Sequence, residues 1–250
     1  MESWALYIKT AINSTTMTSN KIGKIKELGK KLSLSFKNFN LFQNAFVHRS
    51  YLNENPGFTL PNNERLEFLG DAVLELVVTK YLFEKFPNPE GELTALRSAL
   101  VRGKNLSEIS IELGVFECLY LSSGEEKGSD KARGLILANC LEAIIGAIYL
   151  DSGFDSAKVF IEINIINRKI ESILDDKLYI DPKSEFQEIV QELHKVTPIY
   201  RIISESGPDH DKAFISGAYI EDKLIAKGMG SSKSISEQEA AKEALKTIEN

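Results

Sequence analysis

Leu66, Leu69, Val73, Leu76 and Val77 recur at steps of three and four residues, the repeat of one face of an α-helix. With Asn62 or Asn63 able to cap its start after Pro61, the spacing predicts a helix over residues 62–81. Residues 134–150 are apolar on nearly every face, which predicts a second helix, buried all round. Further helical patterns run over residues 21–32, 39–48, 91–102, 105–113 and 154–176, with Gly114 stopping the fourth. Pro, Gly and Asn mark loops at 53–63 and 86–91, and a polar, Gly-rich stretch covers 121–134.

Beyond residue 181 the period changes. Asp181 caps and Pro182 opens a helix reaching about His194. Alternation by twos over 199–204, 213–220 and 223–228 then predicts three strands, the last two joined at Glu221 and Asp222, and a helix over 235–248 closes the chain. The expectation is a multidomain protein. A flexible N-terminal extension over 1–20 precedes an all-α domain over 21–177, a linker at 178–181 and an α+β domain of order α-β-β-β-α over 182–250.

A chain of 250 residues has room for two such cores, and its 43% hydrophobic and 26% charged residues are ordinary for globular domains. Cys118 and Cys140 are the two cysteines, which excludes a disulfide framework or a zinc motif and makes a reducing cytoplasm the simplest compartment. The apolar patch Trp4, Ala5, Leu6 and Ile8 has no basic leader before it or cleavage-like site after it, so no signal peptide is expected, and Met17 is an alternative start. The longest apolar run, 135–150, is broken by Asn139 and Glu142 and is shorter than a bilayer requires, so no membrane partner is expected.

Charge sharpens the reading of the first long helix. At about 100° per residue, Glu64, Glu67, Asp71 and Glu75 fall on one stripe roughly 80° wide. Four like charges at that spacing oppose helix formation, so propensity does not account for them. One alternative is a solvated acidic face. Against it, Phe68, Leu69, Ala72 and Val73 leave little other polar surface, and Gly70 sits mid-helix at about 1 kcal/mol relative to Ala, a residue suited to close approach by another backbone. The apolar helix supplies the partner. Its one carboxylate is Glu142, with Asn139 a turn earlier on the same face, and a carboxylate buried alone shifts its pKa until it is neutral unless a cation meets it. Glu67, Asp71, Asn139 and Glu142 form an oxygen-rich set that suits Mg²⁺ or Mn²⁺ rather than zinc.

Glu-Arg-Leu-Glu-Phe-Leu-Gly-Asp at 64–71, with Leu-Glu-Ala-Ile-Ile-Gly at 141–146, resembles the signature of bacterial ribonuclease III, the endonuclease of double-stranded RNA. The resemblance implies an all-α ribonuclease III nuclease domain that forms a homodimer. One metal site per subunit would be held by Glu67, Asp71, Glu142 and the residue at 139, with Asp71 and Glu142 as catalytic acids. It implies Mg²⁺ as cofactor, with Mn²⁺ substituting, and no organic cofactor. Products would carry 5′-phosphate and 3′-hydroxyl ends, in processing of ribosomal RNA precursors and other structured transcripts. Where this family usually has Asp, this chain has Asn139, whose amide oxygen can ligate a hard cation but brings no charge. Phe68, beside the acids, either packs across the dimer seam or fills its own core. His48, in a His-x-Ser element similar to the family's, is a packed or capping residue that positions the loop before the signature, and Glu90 corresponds to an acid near the family's cleavage site.

The C-terminal order, with Gly-x-Gly-Ser-Ser-Lys at 228–233 and Glu-Gln-Glu-Ala-Ala at 237–241, is similar to a double-stranded RNA-binding domain, which reads duplexes by shape. By that resemblance Gln187, Glu188 and His210 face minor grooves, and Ser231, Ser232 and Lys233 face phosphate at a helix N-terminus. Relatives have two or three basic residues there; here Ser234 and Ile235 follow Lys233. The formal charge is −6 overall, and residues 181–250 hold nine Lys or Arg against thirteen Asp or Glu, so weak, salt-sensitive binding that relies on a dimer is expected. Lys127, Lys131 and Arg133, ahead of Asn139, are candidates for phosphate contacts. A rival reading is a catalytically weak or inactive RNA-binding or ribosome-associated protein on the same fold, with Asn139 marking a lost site. A helical di-metal oxidase is a third, but neither carboxylate helix has the Glu-x-x-His pair it needs.

Overall fold

The computed structural model describes residues 19–175, 179, 181–208 and 212–248. The expected extension over 1–20 falls outside the described residues except for its last two, as do positions 178 and 180 of the expected linker. The chain divides into two compact units between residues 176 and 177.

The first unit is helical. It comprises α1 (19–31), α2 (Phe39–Asn44), α3 (Arg49–Glu54), α4 (Glu64–Lys85), α5 (Glu90–Leu100), α6 (Gly103–Leu113), α7 (Ser123–Glu126), α8 (Asp130–Ile161) and α9 (Asn167–Asp175). A 3₁₀ turn at Val115–Cys118 follows α6, and a π-helical turn at Glu162–Ile166 joins α8 to α9. At the centre is α8, in which Cys140, Leu141, Ala143, Ile144, Ile145 and Ala147 are fully buried. By length and hydropathy the stretch Asp130–Asp175 would suffice to cross a bilayer, yet most of its apolar window is buried inside this unit, as in a core helix.

Several boundaries differ from the sequence expectation, each for a local reason. Neither Asn62 nor Asn63 caps α4. The Asn63 amide donates instead to the Ala45 carbonyl at 3.0 Å, and its backbone N–H donates to Val47 at 2.9 Å, tying the start of α4 to the loop after α2. The polar stretch 121–134 is not all loop: Ser129 accepts from the N–H of Ala132 and caps α8, which therefore begins at Asp130. No break separates 150 from 154. The helix continues across a kink at Gly153, whose φ of 84° is natural only for glycine. The expected loop at 53–63 begins inside α3, which His48 caps by accepting the N–H of Ser50.

The second unit is an antiparallel sheet in the order β1 (Ile199–Ser206), β2 (Ala213–Ile220), β3 (Lys223–Gly230), with α10 (Pro182–His194) and α11 (Lys233–Ile248) against it. Asp181 caps α10 through the N–H groups of Lys183 and Ser184, as its sequence predicts. Phe186 and Val190 of α10, Ala218 of β2 and Ala240, Ala241 and Ala244 of α11 form a core with no exposed surface. The buried hydroxyls of Ser216 and Ser236, 2.7 Å apart, satisfy each other between β2 and α11.

Candidate functional site

Two glycines close the seam between α4 and α8. A Cβ built on Gly70 would stand 1.7 Å from the carbonyl oxygen of Glu142, and one on Gly146 would stand 2.2 Å from that of Leu66. The backbones therefore touch, which is the close approach that a mid-helix Gly70 suggests. This contact fixes the chemistry around it. Glu67 and Asp71 lie within a turn of Gly70, Asn139 and Glu142 lie one to two turns before Gly146, and so the four face one another at the seam.

Electrostatics report how close they are. Burial pushes Glu142 up to about 8, and the charges of Asp71 and Glu67 add to the rise. Glu67 is raised as well, by burial first and then by Glu64; Asp71 adds a little, while a hydrogen bond from the Asn139 side chain pulls the other way. Among the described residues, no three His, Cys, Asp or Glu side chains are gathered tightly enough to make a metal site by themselves. Like charges with nothing positive between them stand apart. The donor set nonetheless fits a hard divalent cation, because it is all oxygen, three carboxylates and an amide, and because a carboxylate raised so far is short of positive charge.

The ends of the acidic stripe are neutralised in a way the sequence did not reveal. Glu64 pairs with Arg49 at 3.6 Å and accepts from Asn62 at 3.1 Å, and Glu75 pairs with Arg97 at 3.3 Å. Arg97 also donates to the Thr79 hydroxyl at 3.2 Å. Both arginines come from other helices, so no helical repeat on α4 could point to them. What remains unpaired by any basic residue is the middle of the stripe, Glu67 and the exposed Asp71. These acids lie on open surface. The larger hollows of this unit are elsewhere, one of about 760 Å³ beside Leu34, Phe36, Val159 and Ile163, another of about 450 Å³ beside Phe83, Glu90 and Arg97.

His48 is a structural link. Its Nδ1 lies 2.8 Å from the Ser50 hydroxyl, which accepts the N–H of Ser122 at 3.1 Å, and its own N–H donates to Tyr120. These bonds join the loop ahead of α4 to the loop ahead of α8. Of the basic candidates near α8, Lys127 and Lys131 are exposed, but Arg133 is used internally: its Nε donates to the Gly128 carbonyl at 3.0 Å and it pairs with Asp130 at 3.7 Å. Glu90 opens α5 and accepts from Thr94, a local contact at a helix start. Phe68 does not fill its own core. It is 81% exposed, and Leu76 and Phe83 continue the same outward stripe of α4 at 57% and 77%.

In the second unit Gln187 and Glu188 are exposed on α10, and Ser231 and Lys233 are exposed at the start of α11. Ser232 is half-buried and already employed, since its hydroxyl accepts the N–H of Ile235 at 3.2 Å and caps α11. His210 lies outside the described residues.

Comparison with known proteins places both units. Residues 38–169 match the family model described as Ribonuclease-III-like, and residues 182–248 match the double-stranded RNA binding motif. A curated relative from Dehalococcoides mccartyi, named Ribonuclease 3, is 41% identical over 227 residues, 90% of this chain and 95% of the relative. Its namesake from Enterococcus faecalis is 43% identical over 223 residues, 89% and 96% of the two chains. The solved nuclease domain of ribonuclease III from Campylobacter jejuni is 43% identical with a TM-score of 0.52, over 57% of this chain and 96% of that one.

Proposed function

The chain belongs to the ribonuclease III family, and on that premise we propose that Glu67, Asp71, Asn139 and Glu142 hold the divalent cation on which its cutting of double-stranded RNA depends. The protein is an endoribonuclease with a double-stranded RNA-binding domain at its C-terminal end. Glu142 carries the reading: a carboxylate pushed to about 8 at a helix contact, facing two further acids, is a poor structural choice and a good cation ligand. Mg²⁺ is the proposed ion, with Mn²⁺ as substitute. When bound, it supplies the positive charge that draws electron density from a phosphodiester and eases loss of a proton from water.

The chain's own residues set the geometry. The Gly70–Gly146 contact holds the carboxylates on helices rather than loops, and the pairing of Glu64 with Arg49 and of Glu75 with Arg97 leaves Glu67 and Asp71 for the ion. Asp71, exposed at the outer edge of the set, faces incoming backbone; Glu142 anchors the inner edge. Water attacks phosphorus in line, the bond to O3′ breaks, and the products carry a 5′-phosphate and a 3′-hydroxyl. Duplex RNA is held by Gln187 and Glu188 of α10, by the start of α11 at Ser231 and Lys233, and by His210. Ser232 acts there as the helix cap.

Two copies act together. The outward stripe of Phe68, Leu76 and Phe83 is too apolar for a face left in water, and the Campylobacter jejuni domain has a region involved in dimer formation. A reducing cytoplasm suits the two buried free thiols, and structured transcripts such as ribosomal RNA precursors are the proposed substrates. The test is incubation of the purified protein with long duplex RNA and Mg²⁺, beside a chelator control and Glu142→Ala. Short duplex products that vanish in both controls are expected. Binding with no cleavage, even in Mn²⁺, would move the protein to the RNA-binding reading.

A further inference from the structure

Asn139 does something at the seam that an acid in its place would not. Its side chain hydrogen-bonds the Glu67 carboxylate, contacting across the helix pair the one α4 acid that is half-buried rather than exposed. A carboxylate only accepts, so the donor must be Asn139 Nδ2, which fixes the amide's orientation and leaves its Oδ1 for another partner. An aspartate at 139 has no proton to give. It would stand as a fourth anion beside Glu67, Asp71 and Glu142, at a helix contact that the two glycines leave no room to loosen.

We infer that Asn139 is a positioning residue: it holds Glu67 in its cation-binding place and keeps the α4–α8 seam closed before any cation arrives, at the expense of weaker cation binding afterwards. The inference rests on the reading of these four residues as the cation site. It separates two quantities that a purely structural role would move together. Replacing Asn139 by Asp lowers the stability of the cation-free protein and tightens the cation, whereas a residue that merely packs loses on both counts when changed.

The test is thermal unfolding of the full-length protein in chelator and through a Mg²⁺ titration, for the native chain and Asn139→Asp. The expected result is a lower melting temperature for Asn139→Asp in chelator, a larger rise with Mg²⁺, and a half-saturating Mg²⁺ concentration lower by about tenfold, as one more unit charge near the ion implies. Should Asn139→Asp not fold without cation, Asn139→Ala and Glu67→Ala with their double variant carry the question. Asn139→Ala then lowers the chelator melting temperature in the native background and leaves it unchanged in Glu67→Ala. If both chains respond to Mg²⁺ but melt alike in chelator, or if Asn139→Ala acts equally in both backgrounds, the positioning role is overturned while the cation site stands. If no chain responds to Mg²⁺ or Mn²⁺, the cation site falls and takes the inference with it.

Discussion

Glu142 makes the behaviour of the cation-free protein depend on pH. Its ordinary value of 4.5 rises to about 8 in the fold, so the fold favours the protonated acid. That contribution is complete below pH 4.5 and is lost as pH climbs through 8, a span that corresponds to a few kcal/mol. Denaturant unfolding in chelator should therefore show the native protein losing stability between pH 5 and pH 9, in the window set by the two values, while Glu142→Gln stays nearly flat and is the more stable of the two at the upper end. The same substitution should abolish cleavage. An equally steep loss in Glu142→Gln would assign the pH dependence to other groups. Glu142 itself was legible from sequence, as the one acid in an otherwise apolar helix. Its companions Arg49 and Arg97 were not, because they reach the stripe from separate helices and only the folded chain brings them there.

At the scale of elements, α4 and α8 were legible through their repeats, and Gly70 through its misplacement in a helix. Gly146 hid among other small apolar residues, and its role needed the partner helix to become visible. The kink at Gly153 and the π-helical turn at Glu162–Ile166 were also beyond a pattern of apolar positions, since a helix that bends keeps much the same periodicity on either side. The seam gives a sharp contrast between glycines. Gly70→Ala places a methyl group where a carbonyl oxygen already is, and should destabilise the first unit by about 3 kcal/mol or more and impair cleavage with it. Gly23→Ala, in α1 with open space around it, should stabilise by roughly 0.5–1 kcal/mol. Denaturant unfolding of the two variants checks both signs at once; a tolerated Gly70→Ala would mean that the helices can part without harm to the site.

For the whole molecule the fold class and the order of the two units followed from the change of period near residue 181, while assembly depended on exposure, which no sequence pattern states. Phe68 lay beside the acids in the sequence with two roles open to it, and its 81% exposure removes the interior one. Phe68→Asp should leave the first unit folded by circular dichroism and convert the protein to a monomer in sedimentation, with the yield of double-strand cuts falling; an unchanged dimer would place the contact elsewhere. The glycine seam also decides what kind of substrate the acids can serve. With the helix backbones in contact, nothing can enter from behind, and the hollows of the unit lie away from the acids, so the centre is one-sided and has no walls. A lone nucleotide would find nothing there to enclose it. A stiff double helix, held at a distance by a second module, needs no enclosure: it has only to lie across.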